Sequence, residues 1–128
     1  MHLTEAKTNQ IVIGKQIEEL SLIYLQNNNL IFLEKNFRTK YGEIDLIFKD
    51  PLHKQIVFIE VRYRKSIFFG EPAETINTIK QQKIIKTANY YLNYKFNNQP
   101  IYYRFDVIAC SGSLNNIKIN WLKNAFQF

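Results

Sequence analysis

Residues 42–64 read GEIDLIFKDPLHKQIVFIEVRYR and contain two apolar segments, each interrupted by carboxylates. The first segment, residues 43–49, follows a turn at Gly42, and the second, residues 56–64, follows a turn at Pro51. Short runs rich in β-branched and aromatic residues between such turn residues are typical of strands. We therefore predict a hairpin here, and the rest of the fold is built around it.

The segments outside the hairpin predict the order of the other elements. Apolar periodicity predicts helices over about 10–27 and 78–96, and strands over 30–37, 101–109 and a short 117–121. Thr78 and Gln81 predict a capping box at the start of the second helix. The order α-β-β-β-α-β-β favours an α/β fold with a mixed central sheet flanked by helices. No repeat or linker interrupts the sequence, so residues 1–128 are interpreted as one domain.

Composition restricts the compartment and the partners. Cys110 is the one cysteine, which excludes an internal disulfide, and with only His2 and His53 beside it a structural zinc site lacks ligands. No export signal or membrane-spanning stretch is visible, so the cytoplasm is the expected location and no membrane partner is expected. Seventeen Lys and Arg against eleven Asp and Glu give a charge of +6, which favours a polyanion such as nucleic acid.

The charged residues of the hairpin suggest a site. A four-residue connection over 51–54 predicts that Asp45 faces Glu60 and Glu43 faces Arg62, with all four side chains on one face. Facing carboxylates, with Cβ atoms ~4.5–5.5 Å apart, destabilise a sheet unless a cation neutralises them. Mg²⁺ and Mn²⁺ prefer such oxygen ligands and leave room for phosphate and water. The alternative is a cross-strand ion pair between Glu43 and Arg62, with the other two carboxylates at the wet edge of the sheet.

Several motifs in one fixed order carry a family resemblance. They are Gly14 with Glu18, Asn36-x-Arg38, residues 42–47, residues 57–64, Lys80, residues 104–108 and the ending Asn124-Ala125-Phe126. Together they resemble the YraN-like family of small bacterial proteins, relatives of the Holliday junction resolvases with the PD-(D/E)xK nuclease fold. The resemblance implies a restriction-endonuclease-like fold and a metal-dependent endonuclease acting on DNA rather than RNA, by analogy branched or damaged DNA. Resolvase-like enzymes act as dimers, so a homodimer is left open.

The resemblance also implies roles for individual residues. Asp45 and Glu60 would bind Mg²⁺ or Mn²⁺, with Glu18 as a further ligand or a residue that holds water; a solvated helix glutamate is the alternative for Glu18. The family motif on the third strand ends in Glu-Val-Lys, whereas this chain has Arg62. Arginine keeps the charge but cannot give up a proton near neutral pH. The catalytic set implied is thus Asp45, Glu60, Glu18 and Arg62.

Basic side chains near the hairpin are expected to contact phosphates. The predicted set is Arg38, Arg64, Lys80 and Lys83, whereas Lys86 is interpreted as solvated surface. Phe68-Phe69-Gly70 is predicted as either a stacking wedge or a hydrophobic lid. Arg104 and Asp106 are predicted to form a structural ion pair. Two alternatives to the nuclease remain: a nucleic-acid-binding module that has lost efficient cleavage, and a protein-interaction scaffold that needs neither metal nor DNA.

Overall fold

The computed structural model describes residues 5–65, 76–97 and 99–127. Its elements are α1 (Glu5–Asn27), β1 (Ile31–Thr39), β2 (Gly42–Asp50), β3 (Gln55–Arg64), α2 (Thr78–Phe96), β4 (Tyr103–Ser111) and β5 (Lys118–Phe126). The predicted order α-β-β-β-α-β-β and the mixed α/β class are confirmed. The proposed wedge or lid at Phe68-Phe69-Gly70 lies outside the described residues.

The five strands form one sheet in the order β1-β2-β3-β4-β5. Strands β3 and β4 are parallel, and the other neighbours are antiparallel. A parallel pair needs a crossover connection, and α2 lies in the segment that joins β3 to β4. This crossover brings the start of α2 close to the middle of the β2–β3 hairpin, where the predicted site lies.

Each face of the sheet carries its own apolar core. On one face, Ile84, Ala88 and Tyr91 of α2 pack against Phe58 and Phe105. On the other face, the core combines α1 residues with central strand residues: Ile17, Leu25, Phe48, Val57 and Ile108. Because β3 and β4 are covered on both sides, they are apolar along most of their length.

The element boundaries differ from the predicted ones for local reasons. Helix α2 is capped by Asn77, whose side chain accepts from Lys80 N at 2.8 Å, so the cap is one residue before the predicted Thr78. Strand β5 is longer than predicted because it continues through a register shift near Asn124, which has a φ of 53°. Such a shift interrupts the alternation from which a strand is recognised. Within the described ranges, no helix is both long and apolar enough to span a membrane.

The predicted structural ion pair of Arg104 and Asp106 is present and belongs to a buried network. Arg104 Nε lies 3.1 Å from Asp106 Oδ1, and Arg104 Nη1 lies 2.8 Å from Asp50 Oδ2. Asp106 also accepts from Trp121 Nε1 at 2.9 Å and from Asn124 N at 2.8 Å. Burial by itself lowers the pKa of Arg104, but these two carboxylates raise it above its ordinary value. The network therefore joins β2, β4 and β5 through buried ion pairs, with Arg104 Nη2 left buried and without a hydrogen-bond partner among the described residues.

Replacing Arg104 should leave the buried carboxylates of Asp50 and Asp106 without their arginine partner. Arg104→Leu is therefore expected to lower the free energy of unfolding by about 3–5 kcal/mol, measured by urea titration at neutral pH. Lys118→Leu, at an exposed position on β5, is the matched control and should change it by no more than about 0.5 kcal/mol. Equal changes in the two variants would contradict a structural role for the network.

Candidate active site

The predicted hairpin register is present in the structure. The β2–β3 ladder runs from Asp50 opposite Gln55 to Leu46 opposite Ile59. Asp45 and Glu60 are the next residues on the two strands; both line one pocket, and the charge of Glu60 raises the pKa of Asp45, so the two carboxylates are neighbours. Beyond the ladder, Asp45 Oδ2 accepts a hydrogen bond from Val61 N at 2.8 Å. The aspartate side chain thus accepts the hydrogen bond from a strand N–H group that a backbone carbonyl would otherwise accept.

Strand β2 changes its orientation at Asp45. Ile44 and Ile47 pack in the core beside α2, whereas Leu46 packs in the core beside α1. Strict alternation would place Ile44 and Leu46 on the same face, so the strand is irregular between them. Asn36, at the corresponding place on β1, has a φ of 54°, a conformation that asparagine tolerates better than most residues. A local twist of both strands therefore presents Asp45 at the site.

The ion pair of Glu43 differs from the predicted one. The predicted register placed Glu43 opposite Arg62, but the β2–β3 ladder ends at Leu46 and Ile59, before these two residues. On the other side of β2, Glu43 lies opposite Arg38 on β1, and the Arg38 Nε to Glu43 Oε1 distance is 3.3 Å. With its amide nitrogen turned toward them, Asn36 donates to Glu43 and to Glu18 at 3.1 Å each. The suggested Glu43–Arg62 ion pair is thus replaced by an Arg38–Glu43 pair. Asn36 is a bridging residue to which the sequence had suggested no role.

The carboxylates at this place disfavour one another's charge. Burial first, and the neighbouring Glu60 second, raise the pKa of Asp45 to about 8. Burial also raises the pKa of Glu60, although the Lys80 ammonium opposes that rise. Burial and the charge of Glu43 raise the pKa of Glu18 despite the Asn36 hydrogen bond. Titratable groups with such shifts in a cleft are typical of functional sites, although structural pairs show them too.

Lys80 contacts the carboxylate pair directly. Its Nζ lies 2.7 Å from Glu60 Oε1, and this glutamate side chain is only 5% exposed. The contact follows from the fold, because Asn77 caps α2 next to the site and Lys80 stands in the first turn of the helix. The sequence predicted Lys80 as a phosphate contact; its ammonium lies at the carboxylates, and the contact to phosphate stays a prediction.

These groups line an open pocket of 420 Å³. Its walls are formed by the following residues of β2, β3 and α2: Gly42, Glu43, Asp45, Glu60, Asn77, Ile79, Lys80, Lys83 and Ile84. Glu18 lines a separate cleft of 260 Å³ together with Asn36 and Lys35. The Asn36 amide, which reaches Glu18 and Glu43, connects the two clefts.

The remaining predicted residues are distributed unevenly around this pocket. Lys83 lines it, and Arg38 is at its rim through the ion pair with Glu43. Arg62 is half-buried on β3 and acts on Glu60 through its charge. Arg64 is at the end of β3, where its Nη1 donates to Tyr63 O at 3.0 Å, away from the lining residues. Their proposed contacts to phosphate stay predictions.

The donor set fits a hard divalent cation. Asp45 and Glu60 offer oxygen ligands only, and a cation would offset the repulsion that raises their pKa values. Over residues 5–65, 76–97 and 99–127, no three His, Cys, Asp or Glu side chains form a group that could hold an ion by itself. Mg²⁺ is commonly held by one or two carboxylates plus water and substrate phosphate. Asp45 and Glu60 would then be the protein ligands, and Glu18 stays a predicted further ligand or water-holding residue.

Comparison with known proteins places the chain in a family. The model of the uncharacterised protein family UPF0102 matches residues 17–110. A UPF0102 protein of Vibrio parahaemolyticus is 48% identical over 115 residues, covering 90% of this chain and 92% of the relative. A UPF0102 protein of Clostridium botulinum is 47% identical over 117 residues, covering 90% of this chain and 94% of the relative. The YraN-like resemblance is thereby confirmed as a family assignment, and the chain belongs to the UPF0102 family.

Proposed function

We propose that this protein is a metal-dependent phosphodiesterase that acts on DNA. The observation that carries the proposal is the Asp45–Glu60 carboxylate pair with Lys80 Nζ 2.7 Å from Glu60, in a pocket open to solvent. Two carboxylates that repel each other lower the stability of the fold, whereas an apolar pair would fill the same strand positions without repulsion. A purely structural role therefore does not explain them. Their placement beside lysines in a basic protein supports binding of a cation and a phosphate together.

The residues of the chain divide the work. Asp45 and Glu60 would hold Mg²⁺ or Mn²⁺, which stabilises charge on a phosphoryl oxygen and lowers the pKa of bound water. Lys80, whose ammonium pairs with Glu60, would turn to a phosphate oxygen once the cation neutralises that carboxylate. Lys83, on the next turn of α2, lines the same pocket and can contact a neighbouring phosphate.

Lys80 can replace the lysine that the family motif has and this chain lacks. The family pattern places a lysine where this chain has Arg62, and Arg62 has the charge but not the compact ammonium. Lys80 brings an ammonium to the same carboxylate from α2. We infer that Lys80, rather than Arg62, supplies the positive charge beside the reacting phosphate.

A binding module without cleavage is the second candidate. The observation that favours it is the short Lys80–Glu60 ion pair, which neutralises one carboxylate without any metal. If that pair persists when DNA binds, the pocket would recognise phosphate and hold no cation. The two candidates differ in whether the bound phosphodiester is cut.

Cleavage of DNA in the presence of Mg²⁺ or Mn²⁺ is therefore the deciding measurement. Labelled four-way junctions, forks, flaps, duplexes and single strands are incubated with protein and millimolar metal, and products are resolved on denaturing gels. We expect cleavage of at least one structure with Mn²⁺ and none with EDTA, because the pair cannot stabilise the developing charge alone. Protein carrying Glu60→Gln, prepared in parallel, controls for a contaminating nuclease. Binding without cleavage of any structure would replace the nuclease proposal by the binding module.

A further inference from the structure

Helix α2 carries an unusually one-sided charge. Its sequence, TIKQQKIIKTANYYLNYKF, contains four lysines and neither aspartate nor glutamate. Helices that serve only as solvated surface commonly combine both signs of charge, because opposite charges three or four residues apart stabilise the helix. Lys80 pairs with Glu60, but the other three lysines of α2 have no acidic residue on their own helix to balance them, and a polyanion would do so. The charge of α2 therefore indicates a partner on its exposed side.

The exposed side of α2 also presents tyrosines. Lys83, Lys86, Tyr90 and Tyr94 follow one another at spacings of three or four residues, which places them on one face. Tyr90 is 54% exposed and Tyr94 is 65% exposed. The buried residues of α2 lie on the adjoining face, where Ile84, Ala88 and Tyr91 pack in the core. From Lys83 to Tyr94 this row extends about 17 Å along the helix axis.

Tyr41 lies beside the same row. It stands in the turn between β1 and β2, and a Cβ added at the adjacent Gly42 would be 3.3 Å from Lys83 Cβ, so the turn rests on α2. Lys86 Nζ is 5.9 Å from the centre of the Tyr41 ring. We call Tyr41, Lys83, Lys86, Tyr90 and Tyr94 together the tyrosine–lysine stripe.

The stripe begins at the candidate active site. Lys83 belongs to both, since it lines the pocket that contains Asp45 and Glu60, and Gly42 beside Tyr41 lines that pocket as well. A polymer whose phosphate enters the pocket would therefore continue onto the stripe. The stripe combines ammonium groups near the pocket with exposed tyrosine rings, and this combination suits a polymer that carries both flat bases and anionic phosphates.

We propose that the tyrosine–lysine stripe binds an unpaired nucleic-acid strand that leaves the carboxylate pocket. This inference rests on the proposed function and narrows its substrate class to DNA with a single-stranded segment next to the reacting phosphodiester. Unpaired bases expose faces that can stack on Tyr41, Tyr90 and Tyr94, whereas the bases of a duplex are already stacked on each other. Lys83 and Lys86, at the end of the row nearest the pocket, contact phosphates of the strand there. An acidic peptide would satisfy the lysines but leave the tyrosine rings without flat partners.

The test measures binding without cleavage. Fluorescence anisotropy in EDTA gives the affinity for a labelled oligothymidine of about 15 nucleotides, a length that extends past the stripe, and for a duplex of equal length. We expect Tyr90→Ala with Tyr94→Ala to weaken single-strand binding by roughly ten- to a hundredfold and duplex binding by less than about twofold. Lys83→Gln with Lys86→Gln should weaken both and make the slope of log affinity against log salt shallower by about 1–2 units.

Matched variants separate stacking from loss of folding. Tyr90→Phe with Tyr94→Phe keeps the rings and should bind single strands like wild type, and Tyr102→Ala removes a tyrosine that is 80% exposed outside the stripe. Equal losses for single strand and duplex, or competition by polyglutamate as strong as by unlabelled oligothymidine, would overturn the proposal. The measurement is independent of cleavage: a protein that needs the stripe to bind single strands but cuts nothing refutes only the nuclease, and one that cuts duplex without needing the stripe refutes only this inference.

Discussion

Asp45→Asn should stabilise the metal-free protein at pH 8 and abolish its stabilisation by Mn²⁺. Asparagine still offers an oxygen to Val61 N, so the hydrogen bond of 2.8 Å can persist while the repulsion by Glu60 disappears. A shift of the Asp45 pKa to about 8 corresponds to a destabilisation on the order of 2–5 kcal/mol at that pH. Because each kcal/mol moves the melting temperature of a domain of this size by roughly 3–6 °C, a rise of several degrees is expected.

The sign of this effect depends on pH in a defined way. The folded-state pKa of Asp45 lies above its value of 3.8 in the unfolded chain, so the unfolded state releases the proton first. Wild-type stability should therefore fall as the pH rises from about 4 to about 8. The variant lacks this titration, and the difference between the two melting curves should widen over that range and vanish at low pH.

Asp50→Asn, in the same strand, should change the melting temperature in the opposite direction. Burial raises the pKa of Asp50, but hydrogen bonds from Arg104 and His53 hold it well below its ordinary value. Its ionised form therefore stabilises the fold above pH 4, and Asp50→Asn should lower the melting temperature at pH 8. If Asp45→Asn also lowers it, or if wild type shows no shift with millimolar Mn²⁺, the cation-binding interpretation of the Asp45–Glu60 pair is wrong.

Sequence periodicity was sufficient for the element order and the hairpin register because both depend on regular geometry. A four-residue turn and alternating apolar residues leave one register that buries Leu46, Phe48 and Ile59. The position of Asp45 beside Glu60 follows from that register. The match of the UPF0102 family model to residues 17–110 covers both strands of this hairpin.

The partners of the charged residues depend on irregular geometry, and the sequence could not supply them. The ladder between β1 and β2 places Glu43 opposite Arg38, and the sequence pattern did not indicate with which of its two neighbouring strands Glu43 forms its ion pair. The approach of Lys80 to Glu60 depends on where the crossover through α2 begins, after residues that have no periodic pattern. Lys80, three positions after the cap Asn77, could have been recognised as a site residue, since α2 is the next element after the motif strand in the βαβ order.

Lys80→Gln should reduce cleavage by about a hundred- to a thousandfold, the loss typical of one group that stabilises transition-state charge. The reason is the position of Lys80 Nζ, 2.7 Å from the Glu60 carboxylate that the proposal assigns to the cation. The loss should fall more on kcat than on KM, because the negative charge on the phosphate that Lys80 contacts increases in the transition state. Single-turnover cleavage of the best DNA structure with Mn²⁺ measures it.

Variants of Arg62 decide which basic side chain, Arg62 or Lys80, takes part in cleavage. If Lys80 provides the ammonium, Arg62→Gln should cost less than about tenfold and Arg62→Lys should change the rate by less than about threefold, since neither alters the group at the phosphate. If the lysine of the family pattern is needed at its own position, Arg62→Lys should instead raise the rate by about ten- to a hundredfold. It should then also rescue Lys80→Gln in the double variant. Rescue of that size would show that the residue at position 62 acts on the phosphate and that Lys80 only neutralises Glu60. Without rescue, the Lys80 ammonium remains the group that acts on the phosphate.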